Sequence, residues 1–197
     1  MILKTILHNR IVKEYADGKG VNELEGQRLA YLASQVPQNG VIVEIGSYRG
    51  QSAAYLASGA PQHATVYMVD MWDRNNLEAV SESNRYAVAG EKHLEIAIER
   101  LSALGLIDKI TTIRGLSAEV AKGWSQKIDL LFIDGDHSYE GVKLDYENWY
   151  PFVKNGGVIA FHDYSNRWEG VQKFIEETAS KELKYLGLHA RIWSGEK

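Results

Sequence analysis

Two short clusters hold the groups best placed to do chemistry. Asp134-Gly135-Asp136-His137-Ser138-Tyr139 crowds two carboxylates and an imidazole together, and His162-Asp163-Tyr164 adds one more of each. Such crowding is costly unless a metal, hydrogen bonds or proton sharing stabilise it. Asp134, His162 and Asp163 could bind a divalent cation. Oxygen ligands suit Mg²⁺ or Ca²⁺, whereas a histidine shifts preference toward transition metals. A cation there would bind two substrate oxygens and lower the pKa of an attacking hydroxyl. His137 or Asp136 could be the general base, an imidazole with its ordinary pKa near ~6.5 being well placed for that role. The plainer alternatives are an Asp134 that only touches cofactor and a His137 that caps the helix starting near Tyr139.

A third group is a glycine loop, Glu44-Ile45-Gly46-Ser47-Tyr48-Arg49-Gly50. Gly46 removes a side chain where backbone must approach a ligand, and Gly50 permits a tight start to the next helix. The pattern is E-x-G-x-x-x-G, whereas dinucleotide oxidoreductases carry G-x-G-x-x-G, with a pyrophosphate on the helix N-terminus. Glu44 would repel a pyrophosphate and suits a phosphate-free, cationic cofactor. Asp70 ends the following strand, where a carboxylate can accept both ribose hydroxyls. Met71 and Trp72 could pack on an adenine or simply on the core. Arg49 could meet a carboxylate of cofactor or substrate, although a solvated arginine is the plainer expectation.

These residues need a scaffold that brings strand ends together. Apolar runs at Val41–Ile45, Thr65–Val69, Lys109–Ile113, Ile128–Ile133 and Val158–Phe161 alternate with helical patterns at Gln51–Ser58, His93–Leu104, Ser117–Lys122, Tyr139–Tyr150 and Glu169–Thr178. Gly105 suits a helix C-terminus, Pro151 a helix end, and Gly156-Gly157 a turn into the fifth strand. Lys184–Leu188 and Arg191–Trp193 read as a closing antiparallel pair, and Gly26–Gln35 as a helix in an N-terminal cap of about 1–38. Near-continuous apolar strands predict a parallel sheet covered on both faces, with right-handed crossovers. The polar stretch Asp73–Gly90 has the length of a lid or binding loop. Tyr146, Trp149, Tyr150 and Phe152 are core or a subunit contact, which leaves a homo-oligomer open.

Composition narrows the classes. The chain has 197 residues, 45% hydrophobic and 24% charged, and suits one globular domain over 1–197. A net charge of −4, from 22 basic and 26 acidic side chains, gives no broad attraction to nucleic acid or an anionic membrane. The absence of cysteine excludes disulfides, thiolate metal sites and cysteine nucleophiles, and suits a reducing compartment. No apolar run approaches the ~20 residues that span a bilayer, and no signal-peptide pattern opens the chain. A cytoplasmic protein is expected.

Taken together, Glu44–Gly50, Asp70 and the later strand ends resemble the class I S-adenosylmethionine-dependent methyltransferases over roughly Val41 to Tyr164. That resemblance implies an α/β Rossmann-like three-layer sandwich with a mostly parallel seven-stranded sheet, order 3-2-1-4-5-7-6, the last strand pair antiparallel. It implies that Glu44, Gly46 and Ser47 meet the methionine part of the cofactor, with Tyr48, Gly50 and Ser52 beside them. Asp70, Met71 and Trp72 would meet the nucleoside, Ser117 the adenine, and Asp134 the cofactor as well as a metal. The stretch FIDGDHSYEGVKLDYENWYPFVKNGGVIAFHDY is similar to metal-dependent O-methyltransferases acting on sugar hydroxyls of macrolides and other natural products. In that subgroup the positions of Asp134, His162 and Asp163 bind Mg²⁺. The position of His137 is the base in some members and that of Asp136 in others. The position of His162 is usually acidic, which leaves Mg²⁺, a transition metal, a two-ligand site or no metal open. Three alternatives remain: a metal-independent methyltransferase, a nicotinamide oxidoreductase and a non-catalytic cofactor-binding module.

Overall fold

Five apolar runs and a C-terminal hairpin assemble into one seven-stranded sheet. A computed structural model describes residues 2–18, 20–72 and 92–197. The strands are β1 (Val41–Ile45), β2 (Thr65–Asp70), β3 (Ile110–Arg114), β4 (Ile128–Ile133), β5 (Val153–Phe161), β6 (Lys184–His189) and β7 (Ile192–Glu196). Their order is β3-β2-β1-β4-β5-β7-β6, as expected. Strands β1 to β5 pair in parallel, and β7 runs antiparallel to β5 and β6.

Helices α1 (Ile2–Glu14), α2 (Glu23–Ser34), α3 (Gln51–Gly59) and α4 (His93–Ala103) accompany the first half of the sheet. Helices α5 (Ser117–Lys122), α6 (Tyr139–Trp149) and α7 (Glu169–Phe174) accompany the second. Alternation along each strand sends side chains to two cores. Ile42, Leu130, Phe132 and Ala160 join Ile11, Leu29, Leu56 and Leu101 in one. Val43, Leu131, Ile133 and Phe161 join Tyr146, Trp149 and Phe174 in the other. Both faces of the central strands are therefore dry, which is why they read as unbroken apolar runs. Trp149 is fully buried and Tyr146 nearly so, while Tyr150 and Phe152 pack on the same core. This aromatic run is core.

Several boundaries differ from the sequence expectation: α2 begins at Glu23 instead of Gly26, where Asn22 caps it, and β3 is shifted by one residue to Ile110–Arg114. Strand β5 starts at Val153, not Val158: Gly156 takes φ +78° and donates its N–H to the Lys197 carbonyl at 2.7 Å. The glycine pair thus forms an irregularity inside the strand, with a register shift opposite Ile128–Leu130. The helix after β5 is α-helical only to Phe174 and continues as a π-turn over Ile175–Ala179 and a short α8 (Ser180–Glu182). Strand β7 starts one residue later than expected and runs on to Glu196, which leaves Arg191 in the hairpin turn. The segment Asp73–Gly90 lies outside the described residues. Among the described residues no helix is long and apolar enough to cross a membrane.

Strands β1 and β4 are sequence-distant neighbours, so the order of connection reverses between them. In open parallel sheets the ligand crevice opens at that switch point, beyond the carboxyl ends of the strands.

Candidate active site

The glycine loop leaves β1 at this switch point. The Gly46 N–H donates to the Val69 carbonyl at 2.9 Å, and the Asp134 N–H donates to the Ile45 carbonyl at 2.9 Å, locking three strand ends together. Gly46 has φ +85°, and a Cβ there would run into the backbone carbonyl of Asp134. This glycine is therefore required by close packing of the β4 loop, a demand in addition to the ligand approach expected of it. Gly50, at φ +80°, is the N-cap of α3. Its carbonyl accepts from the Tyr15 hydroxyl at 3.0 Å, which ties the N-terminal segment to the loop. Arg49 is largely buried and pairs with Asp17 at 3.1 Å; it is not the solvated side chain expected.

Glu44 is fully buried beneath this loop, with Ser47 and Ser52 beside it. Among the described residues neither carboxylate oxygen of Glu44, nor the Ser47 hydroxyl, completes a hydrogen bond of good geometry, although the Ser47 and Ser52 hydroxyls lie close enough to act on the carboxylate. Burial pushes the Glu44 carboxyl up to about 7; the Ser47 and Ser52 hydroxyls oppose the rise, and Asp134 and Asp70 add to it. A buried carboxylate lacking a partner is expensive unless a cation or donor arrives. The ammonium-bearing end of S-adenosylmethionine fits that need.

Asp70 uses one carboxylate oxygen for the Tyr48 N–H and the other for the Trp72 N–H, both at 2.8 Å. A carboxylate has lone pairs left for ribose hydroxyls after two such bonds. Tyr48 and Trp72 both have left-handed backbones (φ 47° and 46°), a strained conformation for bulky residues that concentrates at functional sites. The Trp72 indole donates to the Tyr48 carbonyl at 2.8 Å and its ring packs against the core, with Met71 partly buried before it. The Ser117 hydroxyl accepts from the Trp149 indole at 2.8 Å and also hydrogen-bonds Asp145.

The acid–imidazole clusters converge one and two strands further along. The His162 N–H donates to the Ile133 carbonyl at 3.0 Å, setting the end of β5 beside that of β4. The His162 Nδ1 lies 3.0 Å from Asp134 Oδ1, and His137 Nε2 lies 2.9 Å from Asp163 Oδ2 and 3.5 Å from Asp134 Oδ1. The His137 ring stacks on Trp168, centroids 4.4 Å apart, while its Nδ1 is buried and has no partner among the described residues. Asp136 stands apart from this convergence. Its Oδ1 accepts from the Ser138 N–H at 2.8 Å, and Ser138, not His137, caps α6.

Two members of the cluster were not anticipated. Glu25, fully buried on α2, reaches His162 Nε2 at 3.2 Å and Arg191 at 2.8 and 3.1 Å. Arg191 also donates to Asp163. Glu25 had one legible local role: Asn22-x-x-Glu25 is a capping box, and it closes the start of α2. That signal explains an acid at a helix start but not its use across the fold.

Charge is balanced inside the cluster. Glu25, Asp134 and Asp163 face Arg191, His137 and His162. Burial works to raise Glu25, but hydrogen bonds from His162 and Arg191 prevail and hold it at about 2. Burial likewise opposes the charge on His137, yet hydrogen bonds to Asp134 and Asp163 lift it to about 9. His162 is raised as well, burial being outweighed by the Asp134 charge, and Asp134 and Asp163 are correspondingly lowered. Asp134, His162 and Asp163 each offer one ligand atom, all within 4.8 Å of one another, so the group could also hold a metal ion. One imidazole and two carboxylates suit a divalent transition metal better than Mg²⁺.

Comparison with known proteins decides the family. The profile of a methyltransferase domain matches residues 43–164, from within β1 to Tyr164 just beyond β5. The chain belongs to this methyltransferase family. A stretch of 42 residues of the methyltransferase chain is 52% identical to an uncharacterized protein of Acanthamoeba polyphaga mimivirus, a match covering 21% of the chain but only 19% of that protein's length. Among solved structures, the O-methyltransferase NovP is similar over 100% of this chain and 98% of its own, at 15% identity and a TM-score of 0.73. An O-methyltransferase from Bacillus cereus in complex with S-adenosylhomocysteine is similar over 98% of this chain and 91% of its own, at 21% identity and a TM-score of 0.66. At such identities the likeness is one of fold.

Proposed function

We propose that this methyltransferase domain moves a methyl group from S-adenosylmethionine to a hydroxyl of a small molecule, with His137 as the base. One observation carries it: His137 is anchored through Nε2 on Asp163, and among the described residues nothing pairs with Nδ1. An acid–imidazole pair with the second ring nitrogen free is the arrangement that activates hydroxyl groups in general. The cofactor, when bound, supplies an electrophilic methyl group on a sulfonium. Glu44 and Ser47 would receive its amino-acid end, and Asp70 its ribose. Asp163 holds the imidazole and Trp168 covers one of its faces; with its pKa lifted to about 9, His137 acts as base in its neutral form, favoured as pH rises toward 9, and Nδ1 then takes the hydroxyl proton as the acceptor oxygen gains the methyl. Asp136 has the weaker claim as base, because its carboxylate closes the turn before α6.

Asp134, His162 and Asp163 would hold a divalent cation, which supplies Lewis-acid activation of acceptor oxygens when bound. A second reading, transfer without a cation, is favoured by Arg191, which already gives Asp163 a positive neighbour. The cysteine-free chain suits the reducing cytoplasm. The test incubates the protein with S-adenosylmethionine and a panel of sugar, phenol and amine acceptors, with and without chelator. Methylated hydroxyl products support the proposal; methylation confined to amines, or none, contradicts it. Loss of the product with chelator, restored by Mn²⁺ or Mg²⁺, selects the cation-assisted form.

A further inference from the structure

Glu25, Arg191, Asp163 and His137 form one continuous relay drawn from α2, the β6–β7 hairpin, the end of β5 and the end of β4. Glu25 Oε1 accepts from Arg191 Nε at 2.8 Å, and Oε2 accepts from Arg191 Nη2 at 3.1 Å. That is a two-pronged fork, the geometry that fixes a guanidinium plane and not only its charge. The third prong, Arg191 Nη1, donates to Asp163 Oδ1, and Asp163 Oδ2 faces His137 Nε2 at 2.9 Å. Every link uses a different atom, so the plane of the guanidinium sets the carboxylate, and the carboxylate sets the imidazole. One relay residue, Asp163 at φ 58°, and Ala190, the neighbour before Arg191, at φ 51°, have backbones that ordinary side chains rarely adopt. Such strain persists only where surrounding contacts hold it. Glu25 also receives the Asn22 N–H at 2.8 Å, which fixes the far end of the relay to the start of α2.

A purely structural ion pair would join α2 to the hairpin and stop there. This one ends on a ring nitrogen of the proposed base. We infer that Glu25 and Arg191 are positioning residues for methyl transfer: through Asp163 they direct Nε2–H of His137 inward and so set the orientation of the ring. The inference rests on the function proposed above, yet its main readout does not need turnover.

The experiment records long-range ¹H–¹⁵N correlations of the histidine rings in the full chain, for the wild type, Arg191→Ala, Arg191→Lys and Glu25→Gln, each with S-adenosylhomocysteine. In the wild type the His137 ring should carry a hydrogen-bonded proton on Nε2. In Arg191→Ala that signature should be lost, while affinity for S-adenosylhomocysteine stays within about twofold because the glycine loop is untouched. With an acceptor found in the panel, kcat should fall roughly 10–100-fold, as for other outer-shell substitutions, with little change in KM. Added guanidinium chloride should restore part of that rate to Arg191→Ala and none to His137→Ala. Arg191→Lys keeps the charge but loses the fork, so it should show a smaller loss; it also carries the test should Arg191→Ala fail to fold. Unchanged His137 ring signals in folded Arg191→Lys and Glu25→Gln would overturn the inference. Failure of the wild type to bind S-adenosylhomocysteine would overturn the proposed function instead, and the ring signals would still decide whether the relay orients His137.

Discussion

Glu25 and Glu44 are both fully buried glutamates in one small protein, and their surroundings are opposite. Glu25 is surrounded by donors: the Asn22 N–H, His162 and two prongs of Arg191. They hold its carboxyl down at about 2 despite burial. Among the described residues Glu44 completes no hydrogen bond of good geometry, and burial lifts it to about 7. A buried acid that is fully paired is part of the scaffold, whereas one that is unpaired is a vacancy in the bonding scheme that a ligand can fill. The same residue type thus marks the paired half of the site and the half proposed to receive the cofactor, and the contrast yields experiments ordered by size.

The largest effect belongs to the paired half. His137→Ala should lower methyl transfer by roughly 10²–10⁴-fold, the usual worth of a general base. Asp136→Asn should cost less than about tenfold on the same scale. Measured kcat for both variants, with cofactor affinity as a control, checks the assignment, and a larger loss in Asp136→Asn would reverse it. Next comes the joint between the halves. Gly46→Ala should destabilise the fold by about 3 kcal/mol, combining overpacking against Asp134 with a left-handed backbone. Urea unfolding measures it, and a loss under about 1 kcal/mol would mean that the loop can shift away from β4.

The receiving half should respond more mildly. Glu44→Gln should weaken S-adenosylmethionine binding by roughly 10–100-fold, matching a charge-assisted hydrogen bond of about 1.5–3 kcal/mol. It should not destabilise the cofactor-free protein, because the change removes an unpaired buried acid. Smallest is Ser138→Ala, which removes the cap of α6 and should cost about 1 kcal/mol in thermal or urea unfolding.

The same contrast explains what could be read from the sequence. Strand order and layers were legible because β1, β4 and the end of β5 are buried on both faces and so carry unbroken apolar runs. Asp134, His137, His162 and Asp163 were legible because they sit directly after such runs, where a parallel sheet must gather its loops. Glu25 and Arg191 were not. Each looks like an ordinary surface charge in its own segment, one at a helix start and one in a hairpin turn. Only the packing of α2 and the hairpin against the end of β5 brings them together, across 166 positions of sequence. The packing demand on Gly46 was not legible for a related reason: the chain that crowds it arrives from β4, far along the sequence. The break at Phe174 into a π-turn has no counterpart in the apolar spacing.

Calorimetry of S-adenosylmethionine binding, in buffers of different ionisation enthalpy, tests the central claim most directly. In the cofactor-free protein the raised Glu44 pKa favours the protonated acid. Its contribution to stability is therefore full below the ordinary value of 4.5 and is lost as pH rises through about 7. A cationic cofactor favours the ionised form instead. Binding near neutral pH should release protons, and affinity should fall roughly tenfold from about pH 8 to about pH 6. Both effects should vanish in Glu44→Gln. Binding of NAD(H) in place of S-adenosylmethionine, or tight S-adenosylmethionine binding with no proton release in the wild type, would contradict the account.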